Sequence, residues 1–385
     1  FYQSLPFHSK RAQQNTMLPC DLLAEILSRL PAKNICQLKS VSKHWLNTIS
    51  TPQFKKLHYN KSIQNPHLVV IDESVKGSYF TKTLTISTAD LKRNPTPNLD
   101  KKFTLDVLFQ HYTNFSITHC LICYNTKNSI WVYNPTTQQN LELPPVSIPM
   151  ISFELGYIPY SNEFKIVHFF GKKDEDNRVG YEIITLKDGS SIPSSWRVLQ
   201  NHKNSYKGGD HSTSKIASLS VNGSIYWLVY DMQDNEKRIV SLDLENEEFR
   251  TISCPQDSSI TQKSLMIYQA QQLVEVKGFL GLAQFSANFS TVNIFVLKEG
   301  NKKEQFWVKE FSVHLSHVGH WFKIVGFVPF EEDNTSGDIM FIPNNGRLLF
   351  YKIKKGSFTN VGEFNLLRYS RHNLYFDSLF CLGGG

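Results

Sequence analysis

The spacing of hydrophobic residues changes near residue 65 and divides the chain into two parts. From residue 22 to residue 30, apolar side chains recur at intervals that place them along one stripe of an α-helix. These residues are Leu22, Leu23, Ile26, Leu27 and Leu30. Beyond residue 65, apolar and polar residues alternate or form short apolar runs, which is the pattern of β-strands. The sequence therefore predicts a short helical unit in front of a large β-rich part.

Two or three more short helices are predicted between Pro31, which ends the first helix, and residue 60, so the expected unit is a small bundle of three or four helices. Ile35 and Leu38 mark the second helix, and the run VSKHWLNTIS at 41–50 carries the apolar face of the third. Thr51 followed by Pro52 is typical of an N-cap and a first helical residue, so this pair predicts the start of a fourth helix. So small a unit has too little core to be stable alone. It therefore needs a partner surface, either on another protein or on its own chain.

The β-rich part contains a weak internal repeat. A strand rich in Val, Ile and aromatic residues is followed by a polar turn and then by a bulky apolar residue, which recurs every 51 to 58 residues. The recurring residues are Leu141, Trp196, Phe249, Trp307 and Phe358. A second hairpin lies between successive markers, for example at Asn222 and Gly223, which favour a tight turn. Four strands in about fifty residues are typical of a β-propeller blade, as in kelch arrays.

The repeat predicts six blades, with seven blades or a large β-sandwich as alternatives. We expect the first, degenerate blade at 66–102 and the second at 103–145, and the tail HNLYFDSLF at 372–380 as a closing strand. The four remaining units are expected at 151–200, 215–253, 270–312 and 320–361. The expected domains are a flexible arm at 1–16, ahead of a natural start at Met17, helices at 17–60 and the propeller at 66–381.

Composition indicates a globular protein of reducing compartments. The chain has 385 residues, of which 41% are hydrophobic, and its six cysteines lack the spacing of a disulfide framework. No signal peptide or membrane-spanning run is recognised, so we expect a cytoplasmic or nuclear protein that does not contact a membrane. The net charge of +7 comes from scattered Lys and Arg residues. This distribution argues against nucleic acid as a partner, although a polyanion-binding basic surface is one alternative.

The sequence contains no recognisable set of catalytic or metal-binding residues. Cys120 and Cys123 have the spacing of a zinc or redox pair, but they lie in a predicted strand and no second pair follows. We therefore expect no metal, no cofactor and no catalytic residue, with an enzyme that uses a propeller pocket as an alternative. The aromatic residues Tyr226, Trp227, Trp307 and Trp321 are expected in blade cores. The polar loops at 171–178 and 201–215 are candidate substrate contacts.

The helical part resembles the F-box family. The stretch LPCDLLAEILSRLPAKNICQLKSVSKHWLNTISTPQF at 18–54 carries both Leu-Pro pairs, the Ile-Leu pair, Val-Ser-Lys, a tryptophan and Pro-x-Phe of that motif without a gap. The resemblance implies that these helices bind the Skp-type adaptor of a Skp, cullin and F-box ubiquitin ligase. The adaptor-binding residues that it implies are Leu18, Pro19, Leu22, Ile26, Leu27, Leu30, Pro31, Leu38, Val41 and Trp45. Trp45 and Ile49 have an alternative role in holding the helices together.

The β-rich part resembles the F-box-associated domain of plant proteins. The matching words are VYNPTTQQNLELPP, LGYIPYSNEFKIV, WRVL, VNGSIYWL, SLDLENEEF and VLKE, in the order of the family, over roughly 115–310. The resemblance implies a kelch-like domain that captures an unidentified protein substrate for ubiquitylation. Through the adaptor, it implies cullin and RING subunits as further partners. A scaffold that binds the adaptor without entering a ligase is the main alternative.

Overall fold

The structure of the protein is a computed structural model that describes most of the chain. The described residues are 18–75, 81–91, 100–108, 114–126, 129–147, 152–171, 179–199, 218–231, 236–255, 271–286, 290–300, 304–315, 322–329, 337–343, 346–363 and 371–383. The arm expected at 1–16, Trp321, the loop at 201–215 and all but Gly171 of the loop at 171–178 lie outside them.

Four short helices open the described chain, where the sequence predicts three or four. They are α1 (Cys20–Leu27), α2 (Ala32–Leu38), α3 (Lys43–Ser50) and α4 (Pro52–Ser62). The hydroxyl of Ser42 accepts a hydrogen bond from the Trp45 backbone N–H at 3.1 Å and so caps α3. Thr51 caps α4 in the same way, and Pro52 is its first residue, as expected. The first helix ends at Leu27, before the predicted end at Pro31, which instead precedes α2.

The remainder of the described chain forms a β-propeller with six blades, each a four-stranded antiparallel sheet. Blade 1 contains β1 (His67–Val75), β2 (Thr81–Asp90) and β3 (Asp100–Leu108). Blade 2 contains β4 (Phe115–Thr118), β5 (Leu121–Asn125), β6 (Ile130–Asn134) and β7 (Gln139–Glu142). Blade 3 contains β8 (Ser152–Ile158), β9 (Glu163–Gly171), β10 (Val179–Lys187) and β11 (Arg197–Val198).

The last three blades follow in chain order, and the final strand returns to the first blade. Blade 4 contains β12 (Ser218–Val221), β13 (Ser224–Asp231), β14 (Glu236–Asp243) and β15 (Glu248–Ser253). Blade 5 contains β16 (Gln271–Val276), β17 (Phe279–Phe285), β18 (Thr291–Glu299) and β19 (Gln305–His314). Blade 6 contains β20 (Phe322–Pro329), β21 (Gly337–Pro343), β22 (Arg347–Lys352) and β23 (Ser357–Glu363), and β24 (Arg371–Tyr375) follows.

The chain closes the propeller by pairing its last strand with its first. β24 lies antiparallel to β1, with His67 opposite Tyr375, and is the innermost strand of blade 1. This confirms the closing strand predicted in the tail. This pairing joins the first and last blades, because β24 follows β23 of blade 6 in the chain and is hydrogen-bonded into blade 1.

The repeat markers locate the outer strands of blades 2 to 6. Leu141, Phe249, Trp307 and Phe358 lie in the fourth strands of their blades, and Trp196 directly precedes β11. The indole N–H of Trp196 donates to the Pro144 carbonyl of the preceding blade at 2.8 Å, and Trp307 donates to Ser253 in the same manner. One predicted boundary is wrong. Residues 103–108 complete β3 of blade 1, so blade 2 begins at Phe115.

The helices are fixed to one end of the propeller by the carboxyl-terminal tail and by α4. Leu379, 3% exposed, packs in the core of the helical unit with Leu27 and Phe54. The Lys55 ammonium of α4 binds the carboxylate of Asp188 at 2.8 Å, and the same carboxylate accepts the Cys381 backbone N–H. The helical unit therefore completes its core with a segment from the far end of the same chain.

Candidate functional site

The helical unit presents apolar side chains outward as well as inward. On α1, Leu22 and Ile26 are 56% and 55% exposed, whereas Leu23 and Leu27 are 3% and 1% exposed. The helix is thus apolar on both sides, and only one side is covered. Of the nine large hydrophobic side chains that are exposed in the described residues, five belong to this unit. We call these five the docking face: Leu18, Leu22, Ile26, Val41 and Leu46.

The structure divides the sequence-implied adaptor residues into three groups. Five are exposed, namely Leu18, Pro19, Leu22, Ile26 and Val41. Four are half-buried, namely Leu30, Pro31, Leu38 and Trp45. Leu27 is buried in the core of the helical unit, so its implied contact with an adaptor is corrected, because no partner reaches its side chain without unfolding α1.

Two residues of α3 refine this assignment. Ile49 is fully buried and Trp45 packs partly against the same core, so both side chains hold the helices together. Leu46, 42% exposed, joins the docking face although the motif did not select it. The sequence did contain a signal for this residue. Leu46 directly follows Trp45, and consecutive helical residues point in different directions, so Leu46 faces away from the core when Trp45 faces it.

The second candidate site is the central channel of the propeller. The innermost strands β24, β4, β8, β12, β16 and β20 line a cavity of about 390 Å³. These strands all begin at one end of the propeller, the mouth, and finish at the end that carries the helices. At the helix end, the Tyr59 ring of α4 lies 6.2 Å from the His119 ring and 5.7 Å from the Tyr157 ring.

Polar side chains connect the inner strands of neighbouring blades. The Ser116 hydroxyl donates to the Glu154 carboxylate at 2.9 Å, which joins blades 2 and 3. The Gln272 amide donates to the Phe322 carbonyl at 3.0 Å and its oxygen accepts the Ile324 N–H at 2.9 Å, which joins blades 5 and 6. Asn373 donates to the Ile117 carbonyl at 3.1 Å and joins blades 1 and 2. The channel wall is therefore held by bonds between blades and is preorganised.

The channel environment changes the pKa of several groups. Burial raises the pKa of the Glu275 carboxyl to about 7 and lowers the pKa of His119 to about 3. Burial lowers the pKa of His372 to about 3, with a contribution from the charge of Lys323. Burial, together with the charge of Arg371, also lowers the pKa of Lys323 to about 8. At neutral pH the two imidazoles are therefore neutral and Lys323 is mostly charged.

We expect Glu275→Gln to stabilise the protein at alkaline pH. The folded chain holds the Glu275 proton more tightly than the unfolded chain, because its pKa is raised from 4.5 to about 7. The stability contributed by that proton is present below about pH 4.5 and lost as pH rises through about 7. The free energy of unfolding of the variant should exceed that of the original by on the order of 1 kcal/mol at about pH 8, and match it at about pH 4. Urea unfolding at both pH values measures this, and an equal difference at both would contradict it.

The remaining candidates from the sequence belong to blade cores. Cys120 and Cys123 are buried in blade 2, and burial raises the pKa of the Cys120 thiol to about 12. Tyr226, Trp227 and Trp307 are half-buried and pack against clusters of blades 3 to 5, which agrees with their predicted role. No group of three or more potential metal ligands occurs among the described residues. In the same part of the chain, no helix is long and apolar enough to span a bilayer.

Comparison with known proteins agrees with this architecture. The profile of the F-box associated beta propeller domain matches residues 69–371, and that of the F-box domain matches residues 16–57. The chain belongs to the F-box-associated β-propeller family. An F-box followed by a β-propeller is typical of non-catalytic adaptor proteins, and neither match indicates an enzyme family.

The similar proteins are F-box proteins of Arabidopsis thaliana. The putative F-box protein At4g38870 is 30% identical over 258 residues, which cover 64% of this chain and 59% of that relative. The putative F-box protein At4g09190 is 26% identical over 81% of this chain and 76% of its own length. The F-box protein At3g07870 is 28% identical over 77% of this chain and 72% of its own length. The chain is therefore similar to plant F-box proteins over most of its length.

Proposed function

We propose that this F-box protein is the substrate-recognition subunit of a Skp, cullin and F-box ubiquitin ligase. Its helices bind a Skp-type adaptor, and its propeller recruits a protein for ubiquitylation. The adaptor brings the cullin and RING subunits, which carry the ubiquitin-conjugating enzyme. The chain itself contributes position, because a bound substrate is held at a high effective concentration near the ubiquitin donor.

The observation that carries this proposal is the uncovered docking face on a unit whose core is otherwise complete. Leu23, Leu27 and Leu379 fill the inner core, so Leu22 and Ile26 are not needed to hold the helices together. Exposed apolar side chains grouped on a helical unit mark a protein-binding surface, and buried anchors of this kind give most of the energy of an interface. A helical adaptor is the partner that the F-box match favours.

The geometry of the propeller supports its role in recruitment. The helices lie at the end where the inner strands finish, and the mouth of the channel lies at the opposite end. β9 ends at Gly171 and β10 begins at Val179 on the mouth side. A substrate bound there is separated from the adaptor by the thickness of the propeller. The link between Lys55 and Asp188 keeps this spacing fixed.

We place the protein in the cytoplasm or the nucleus. All six cysteines are free thiols in the structure, the state that reducing compartments maintain. Fusion to a fluorescent protein and imaging in plant cells tests this placement, and exclusive localisation in a secretory compartment would contradict it.

The function is tested by comparing the original chain with Leu22→Asp/Ile26→Asp in plant cells with the proteasome inhibited. Affinity purification of the original chain is expected to yield the Skp-type adaptor, a cullin and ubiquitin-conjugated proteins. The variant is expected to lose all three, while its yield and circular dichroism spectrum remain unchanged. Recovery of the adaptor without a cullin would instead favour a scaffold outside the ligase.

A further inference from the structure

The mouth of the channel holds two cations that the proposed ligase role does not use. Lys323 is the second residue of β20, and Arg371 is the first residue of β24, the inner strand of the neighbouring blade. Both side chains line the channel, where solvent reaches them although the surrounding walls partly desolvate Lys323. Within the described ranges, no carboxylate forms an ion pair with either side chain. Two positive charges are therefore left together in a confined space.

Each cation is held by a contact that leaves its charge uncompensated. The Lys323 ammonium donates a hydrogen bond to the His372 carbonyl oxygen at 2.6 Å. The Arg371 guanidinium lies over the ring of Phe115, 5.4 Å from its centroid. The two charges disfavour each other, since Arg371 contributes to the lowered pKa of Lys323. An anion between them would relieve this repulsion and form charge-assisted hydrogen bonds with both.

The acids of the channel do not replace such an anion. The Ser116 hydroxyl donates a hydrogen bond to the Glu154 carboxylate, and the same hydroxyl accepts one from the Leu155 backbone N–H. Glu275 lies on the fifth position of β16, towards the helix end, where burial raises its pKa to about 7, so it is about half protonated at neutral pH. Of these two acids, Glu154 is thus already hydrogen-bonded, and Glu275 carries only part of a negative charge near neutral pH.

The shape of the cavity favours a small molecule over a polymer. Its volume of about 390 Å³ lies within the range of small-molecule sites. Aromatic side chains crowd its helix end, where the Phe376 ring lies 6.0 Å from the His119 ring. Between the cations and this end, the lining includes polar residues such as Ser116, Ser220 and Asn373, whereas Leu155 and Leu273 pack in blade cores. The site therefore offers positive charge at its mouth and aromatic surface at its helix end.

We propose that the propeller channel binds a small organic anion, with a carboxylate or phosphate group between Lys323 and Arg371 and an apolar body directed into the channel. The Phe115 ring supports the guanidinium in this arrangement, because a guanidinium stacked on an aromatic ring still presents its edge to an anion. This inference rests on the propeller alone and is independent of adaptor binding.

The test uses isothermal titration of the whole chain with phenyl phosphate, which combines an anion with an apolar ring. We expect phenyl phosphate to bind at one site. The uncharged analogue phenol should bind at least about tenfold more weakly, and sodium sulfate titrated at matched ionic strength should show no comparable binding. Lys323→Met/Arg371→Gln is expected to weaken phenyl phosphate binding at least about tenfold. The matched control is Lys309→Met, which removes an exposed lysine of β19 outside the channel and should leave the affinity unchanged.

Two outcomes would overturn the proposal. One is the absence of phenyl phosphate binding to the original chain at about 10 mM, and the other is equal affinity of the original chain and the channel variant. An acidic peptide that bound more tightly than phenyl phosphate, and lost affinity in the same variant, would overturn the small-molecule assignment. Adaptor binding of the channel variant is measured in parallel and should be unchanged, so failure here is distinguishable from failure of the ligase role.

Discussion

Leu22→Asp/Ile26→Asp is expected to weaken binding of a Skp-type adaptor at least about 100-fold, because each anchor of such an interface contributes about 2 kcal/mol or more. Both side chains are more than half exposed on α1, so the aspartates face water in the free protein. In the complex they would be buried without a partner charge, which adds a desolvation penalty to the lost apolar contact. The measurement is isothermal titration of the purified chain with the adaptor, combined with the thermal unfolding midpoint of each protein.

The matched control places the same change elsewhere on the surface. Val198 and Phe306 are apolar residues of the propeller that are 48% and 49% exposed, similar to the residues changed on α1. Val198→Asp/Phe306→Asp should bind the adaptor with the affinity of the original chain. Equal loss of affinity in both double variants would mean that apolar surface in general, and not the docking face, determines binding.

Removal of residues 371–385 is expected to prevent folding of both parts of the protein. The deletion removes β24, the inner strand of blade 1, and also Leu379, which belongs to the core of the helical unit.

A milder test of the tail is the single substitution Phe380→Ala. Phe380 is 2% exposed, its ring lies 4.9 Å from the Phe164 ring, and its backbone carbonyl accepts a hydrogen bond from Asn134 at 2.9 Å. We expect this change to lower the free energy of unfolding by about 3–5 kcal/mol.

The control for the tail is Phe306→Ala, which truncates the same side chain at a position that is 49% exposed. It should change the free energy of unfolding by less than about 1 kcal/mol in urea titrations. A truncated chain that remained soluble, with the circular dichroism spectrum of the original, would contradict the role of the tail. So would equal effects of the two alanine substitutions.

Local signals in the sequence were sufficient to predict most of the fold. The caps at Ser42 and Thr51 and the proline at 52 act within one helical turn, so they define helix starts without tertiary context. The turn at Asn222 and Gly223 has positive φ angles of 46° and 79° and connects β12 to β13 as predicted. The blades could be predicted because each has its own strands and turns, repeated at nearly constant length.

Features that depend on distant parts of the chain could not be predicted in the same way. Both sides of α1 are apolar, so spacing alone does not distinguish Leu22 from Leu27. The distinction arises from tertiary packing, because Ile49 and Phe54 of the other helices and Leu379 of the tail cover the inner side. The boundary of blade 2 was missed because the tail supplies the inner strand of blade 1, which shifts 103–108 into that blade.

The channel cations were missed for a related reason. Lys323 and Arg371 lie on strands of different blades, and only closure of the propeller brings them together. One local signal was present. Lys323 interrupts the otherwise apolar run WFKIVGFVPF, and a charged residue within an apolar strand indicates a position that faces a cavity or a partner.

The most direct test of the adaptor role is size-exclusion chromatography with light scattering on a mixture of this chain, a Skp-type adaptor and a cullin. We expect a single species with the mass of one copy of each protein. The docking-face variant Leu22→Asp/Ile26→Asp should elute separately from a binary complex of adaptor and cullin. Separate elution of the original, folded chain from the adaptor and cullin, across several adaptors, would contradict the account.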